Sequence, residues 1–312
     1  MSDGRTMLGP VYASASAISY HHGQIWTGTP AEYLDHLDAE FDFRPDDVWL
    51  LSFPRSGTSW SHEVISAVLY DGDIAALEAD QRCGKIGKFQ PIEIGIGPAS
   101  NLAERMAKWK AMASPRVVPT HVPCRLFPKR ALALKCRRVY ILRDPRDVAI
   151  SRYYFHRSNR MLGPYKGSWD EFFECFASGQ VTYGSWFDHT LGWWSHAEAH
   201  PDEVLVLTYE RLKNDMPGEL RRLGTFLGRA LSDTAVAAIA EHTSFEKMSA
   251  NPFTNRDGNP IMDFSVARFL RKGEIGDWRR HFTPAQAARI QALWDQKLGG
   301  TSIGNVLPRP SG

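Results

Sequence analysis

Short runs rich in Val, Leu and Ile alternate along this chain with longer stretches of helical periodicity, and that alternation constrains the fold more than any other feature. Residues 48–53, 117–118, 139–142 and 204–207 read as strands, and helical patterns lie around 60–70, 102–113, 147–156 and 285–298. Strands separated by helices return in parallel, with the helices laid over the sheet. The expected fold class is therefore α/β: one domain with a central, mainly parallel sheet flanked by helices. Ligands on such sheets sit beyond the carboxyl ends of the strands, so the segments that follow each strand are the place to look for chemistry.

The chain has 312 residues, 43% of them hydrophobic, enough for one large core. A domain over 26–303 is expected, with loose segments at 1–25 and 304–312, whose composition is that of turns. Lysine and arginine number 37 against 35 aspartates and glutamates. No net basic field calls for a nucleic-acid or membrane partner, so any bound anion must be held by local groups. No run approaches the roughly 20 apolar residues of a membrane span, and the first residues lack the apolar block of a signal peptide. Cys83, Cys124, Cys136 and Cys175 are scattered, and no Asn-x-Ser/Thr site occurs. A cytoplasmic protein with free, mostly buried thiols is expected.

The strand at 47–53 runs into Pro54-Arg55-Ser56-Gly57-Thr58-Ser59-Trp60 and then a helix. That arrangement aims backbone N–H groups and the helix dipole at an anion; Gly57 permits close approach, Ser56, Thr58 and Ser59 add hydroxyls, and Arg55 adds a charge. A strand-to-helix turn with a Ser/Thr cap is the alternative reading of the same residues. The ATPase and GTPase loop, with its glycine-lysine-hydroxyl ending, is absent. The segment 84–100, rich in Gly, Ile and Pro, reads as a long loop.

The stretch from Phe41 to Trp60 resembles the 5′-phosphosulfate loop of the cytosolic sulfotransferase family. Three more blocks match in the same order: Pro115 to Pro123, Val139 to His156 and Phe269 to Thr283. The resemblance runs from about residue 30 to 298 and implies a P-loop-like phosphosulfate-binding loop. It also implies 3′-phosphoadenosine 5′-phosphosulfate (PAPS) as donor, adenosine 3′,5′-bisphosphate (PAP) as product, a small alcohol or phenol as acceptor, and no metal.

Carried over position by position, the resemblance assigns the 5′-phosphosulfate to Arg55, Ser56, Gly57, Thr58, Ser59 and Trp60. The 3′-phosphate falls to Arg143, Ser151, Arg271, Lys272 and Gly273, and the purine to Trp60, Tyr209, Thr243, Ser244, Phe245 and Met248. Guanidinium forks suit a dianionic phosphate because they form paired, charge-assisted bonds. Phe155 matches an acceptor-pocket aromatic, and Tyr20, Phe89 and the loop 84–100 are further candidates for that wall. His121, after the strand at 117–118, stands at the position of the base. From residue type alone a histidine there is as well read as a satisfied polar group, although an acceptor hydroxyl that loses its proton on attack does need such a base.

The chain departs from the family at three places. Arg55 stands where lysine is usual, and an arginine keeps the charge but cannot donate a proton near neutral pH. Pro119 stands where lysine is frequent, two residues before the base, and the sequence names no compensating cation. Pro284 and Ala288 replace a valine and a glutamate of the family's dimer segment, which leaves a homodimer open. The pair His196 and His200 lacks the spacing partners of a zinc site, and Trp193-Trp194 reads as core. A catalytically silent nucleotide-binding protein is the alternative to the enzyme.

Overall fold

The computed structural model describes residues 18–27, 31–80, 91–93 and 102–310. Its strands are β1 (Ile18–His21), β2 (Gln24–Thr27), β3 (Val48–Ser52), β4 (Val117–Thr120), β5 (Arg137–Leu142) and β6 (Val204–Thr208). The helices are α1 (Ala31–Glu40), α2 (Thr58–Leu69), α3 (Ile74–Ala79), α4 (Leu102–Ala111), α5 (Lys129–Ala133), α6 (Pro145–Ser158) and α7 (Trp169–Ala177). They continue as α8 (Trp186–Ala199), α9 (Tyr209–Asn214), α10 (Met216–Phe226), α11 (Asp233–His242), α12 (Phe245–Ala250), α13 (Pro252–Asn255) and α14 (Pro284–Leu298). The strands and helices expected from the sequence are all present, with each end within two residues of expectation.

β3, β4, β5 and β6 form one parallel sheet in the order β4-β3-β5-β6. Side chains along a strand alternate between faces, and the strands show it. Trp49, Leu51, Val118, Tyr140 and Leu142 enter one core cluster; Val48, Leu50, Val117, Val139 and Ile141 enter the other. The first is closed by Leu37 of α1, Phe172 and Phe176 of α7, Trp193 and Trp194 of α8, and Trp294 of α14. The second is closed by Val64 and Val68 of α2, Leu220 and Leu223 of α10, and Ile239 of α11. Each such fully buried aliphatic side chain is worth about 1.5–3 kcal/mol. Burial on both faces explains why these strands read as apolar runs rather than as alternating ones.

Pro119 sits in β4, at the sheet's edge among the described strands, where a missing N–H does no harm; its carbonyl accepts from Ile92 N at 2.9 Å. Pro284 takes the first position of α14 behind a Thr283–Gln286 capping box, so this stretch serves as a helix start.

The ends of the chain differ from expectation. Residues 18–27, expected to be loose up to 25, form an antiparallel hairpin whose turn residues His22 and Gly23 have φ of 51° and 75°, as a type I′ turn requires. Ile25 and Trp26 are buried in the first cluster. Beyond 303, Leu307 is buried there too, and Arg309 pairs with Asp295. Composition pointed to turns in both places, but a few apolar side chains tie each segment down. Cys136 and Cys175 are buried and Cys124 half-buried, all as free thiols; Cys83 lies outside the described residues.

Candidate active site

All four parallel strands run out at one end of the sheet, and each hands over to a residue expected in the site. Ser52 leads to the loop 53–57, Thr120 to His121, Leu142 to Arg143, and Thr208 to Tyr209. Sheet order reverses between β3 and β5, which is where a doubly wound sheet opens a crevice. A cavity of about 450 Å³ occupies it. Of the residues expected to bind the donor, to act as base or, as Phe155, to meet the acceptor, all line this cavity except Ser56, whose hydroxyl is buried in the loop without a hydrogen-bond partner.

The loop turns through two left-handed residues, Arg55 (φ 75°) and Gly57 (φ 104°), the second of which precedes α2. The first bond of the helix runs from Ser61 N to Gly57 O, so the N–H groups of its opening turn have no acceptor within the helix. Gly57 is required for one reason the sequence did not show: a Cβ there would meet the Tyr209 ring at 2.9 Å. That ring packs edge-on against Trp60, whose indole N–H donates to Thr243 O at 2.8 Å. Gly273 is a parallel case, since a Cβ would come within 2.4 Å of Phe245. Thr243 turns its own hydroxyl back to Ile239 O, and Ser244 caps α12 through the Lys247 N–H; both residues line the cavity.

His121 is fixed on three sides. Its Nδ1 lies 2.7 Å from Ser52 O. A carbonyl only accepts, so Nδ1 carries the proton and Nε2 keeps a lone pair. Its N–H donates to the buried Glu93 carboxylate at 2.9 Å, and Thr120 Oγ1 donates to the same group at 2.7 Å. Its carbonyl accepts from His189 Nε2 at 3.1 Å, which leaves His189 Nδ1 to accept from the Tyr140 hydroxyl. Burial, with smaller contributions from His189, Arg152 and Arg55, pushes the His121 pKa down to about 3 against the bond to Ser52. The ring is neutral at physiological pH.

Around it lies a concentration of cations. Arg55 donates to Ser151 Oγ (3.1 Å) and Phe269 O (2.9 Å), with its guanidinium between the Phe155 and Phe269 rings at 4.9 and 4.8 Å. Burial first, then the like charges of Arg256, Arg143, Arg271 and Arg152, bring its pKa down to about 9, still protonated at neutral pH. Arg143 stacks on Tyr209 at 4.2 Å and donates to the carbonyls of Arg55 and Glu274. Arg271 and Lys272 share the carboxylate of Asp277 at 2.5 and 2.6 Å. Burial alone would raise the Asp277 pKa; its bonds to Lys272 and Arg271 outweigh this and hold it at about 2.

The Nε atoms of Arg143 and Arg271 are buried without a partner, as is the Ser56 hydroxyl. Unused donors among several guanidinium groups, beside an open helix start and aromatic rings, suit a nucleotide with more than one anionic group. Among the described residues no group of three or more His, Cys, Asp or Glu is arranged to hold a metal ion.

The sequence model described as the sulfotransferase domain matches residues 45–302. Human sulfotransferase 1C2 is 39% identical over 265 residues, 84% of this chain and 86% of that protein. The chain belongs to the sulfotransferase family. Mouse sulfotransferase 1B1 is 37% identical over 85% of this chain and 86% of its own length. Among solved structures, mouse sulfotransferase SULT7A1 in complex with PAP overlays with a TM-score of 0.75 at 32% identity, covering 92% of this chain and 96% of that one.

This sulfotransferase also brings to the cavity residues that sequence reasoning missed. Arg152 is buried, donates to Thr182 Oγ1 at 2.7 Å and stacks on Phe53; His156, Asn159, Tyr183 and Arg256 line the same space. A signal was available for the first three. Ser151, Arg152, Phe155, His156 and Asn159 fall on one helical stripe of α6 and its end, so the two expected residues point to the others. Arg256, in a turn with φ 60°, had no such signal. Tyr20 is 43% exposed in β1 and does not line the cavity, while Phe89 lies outside the described residues. Of the loop 84–100 only 91–93 are described; there Pro91 lines the cavity. His196 is half-buried on α8 and His200 exposed just after it, while Trp193 and Trp194 are core, as expected.

Proposed function

We propose that this sulfotransferase takes PAPS as donor and passes the sulfuryl group in line to a hydroxyl of a small alcohol or phenol, with His121 as the base. Bound PAPS supplies an activated sulfuryl group on a phosphate leaving group. Arg143, Ser151, Arg271, Lys272 and Gly273 hold its 3′-phosphate; the loop from Arg55 to Trp60 holds its phosphosulfate. Trp60, Tyr209, Thr243, Ser244, Phe245 and Met248 enclose the purine. The His121 Nε2 lone pair accepts the acceptor's proton, while Arg55 stabilises the charge that develops on the leaving oxygen. Being permanently charged at neutral pH, Arg55 works through its field and not as an acid.

The observation that carries this reading is the lone pair left on a neutral, fixed histidine beside a multi-cation cradle in one cavity. The free thiols support a cytoplasmic setting. The test is a titration of PAP against adenosine 5′-monophosphate. The wild type should prefer PAP strongly, and Arg143→Ala and Arg271→Ala should each lose about 1.5–3 kcal/mol of that preference. A preference unchanged in both variants contradicts the assignment of the 3′-phosphate.

A further inference from the structure

The charges lining the cavity are mostly positive. Its carboxylates, among the described residues, are Glu246 and Glu274, which neighbour Phe245 and Gly273 on the donor side. Phe155, Leu162, Ile261 and Phe269 also line the cavity, with two more guanidinium groups, Arg152 and Arg256. The donor reading uses neither of them, since Arg55, Arg143, Arg271 and Lys272 already answer its phosphates and sulfate. Arg256 lies 4.2 Å over the Phe269 ring, the same ring that Arg55 covers at 4.8 Å. Two guanidinium groups thus share one aromatic, and Arg256 is the foremost like charge acting on Arg55. Cations gathered in a water-poor space are costly unless an anion joins them, and an anion placed there is bound more strongly than it would be in water.

We propose that the acceptor is a hydroxylated, largely apolar compound that also carries a carboxylate, and that Arg256 binds that carboxylate while the hydroxyl faces His121. This rests on the sulfotransferase reading of the site. A guanidinium fork matches a carboxylate with two parallel bonds, and the surrounding rings accept the apolar body. Arg152, stacked on Phe53 and bonded to Thr182, adds positive potential to the same wall. Burial brings the Arg256 pKa down to about 10, so it stays charged at neutral pH.

The test compares para-hydroxyphenylpropionate with its methyl ester, two phenols of similar shape that differ in charge, and reads the acid-to-ester ratio of kcat/KM. A ratio cancels any general damage done by a substitution. The wild type should favour the acid by about 10- to 100-fold, the reach of one charge-assisted bond. Arg256→Gln should bring the ratio close to one, and Arg256→Lys should retain part of it. A wild-type ratio at or below one, or a ratio unchanged in Arg256→Gln, overturns the proposal. Beta-naphthol in the same assay reports on sulfuryl transfer itself: if it is sulfated while the acid has no advantage, only the proposal about Arg256 falls. If none of the three is sulfated, the acid and ester are titrated against the PAP-saturated protein, and equal affinities overturn it.

Discussion

Four histidines show how burial sets protonation in this protein. His62 and His189 are pushed down to about 4, and His121 and His156 to about 3, burial being the largest cause in each. Their ordinary value is 6.5. Below that value the unfolded chain takes up protons that the folded chain refuses, so stability is fully present above 6.5 and declines as pH falls towards 3 to 4. Urea unfolding followed between pH 7 and 4.5 should therefore give a falling midpoint, and His62→Gln should flatten the slope by its share. A midpoint independent of pH over this range would mean that these rings are hydrated and not buried. For His121 the same burial has a functional side: the base is ready without waiting for a proton to leave, and the bond to Ser52 keeps the proton on the atom that does not react.

At the level of elements, most of the molecule was legible in the sequence because both faces of the sheet are covered. Runs such as 48–53 and 139–142 are continuous and apolar for that reason, and the loop at 54–57 announces itself by its glycine and hydroxyls. What the sequence left hidden depends on distance along the chain. Nothing near Gly57 points to Tyr209, and nothing near His121 points to Glu93 or His189. Another such tie joins β3 to β4 at their amino ends, remote from the site: Asp47 accepts from Arg116 at 2.7 Å through both carboxylate oxygens, and both side chains are buried. Removing one partner of a buried pair strands the other's charge. Asp47→Ala should cost about 3–5 kcal/mol in urea unfolding, while the double change to Leu at 47 and Met at 116 should cost less than the two single changes summed. A loss below about 1 kcal/mol for Asp47→Ala would show that Arg116 is held by its bonds to Trp109 O and Asp42 O alone.

For the whole molecule, the consequence of the fold is one cavity lined both by the groups proposed for the donor and by those proposed for the acceptor, Arg55 and His121 among them. Arg152 and Arg256 line the same cavity as Arg55 and His121, and the proposal about the acceptor is placed there. In the proposed reaction the base acts on the acceptor while the cradle holds the donor. That division is tested most directly by measuring labelled sulfuryl transfer and PAP binding side by side for the wild type and His121→Ala. The account predicts that transfer falls by about 10²- to 10⁴-fold while the PAP dissociation constant stays within a few-fold of the wild-type value. Equal transfer rates in the two proteins, with PAP bound equally well, would contradict it.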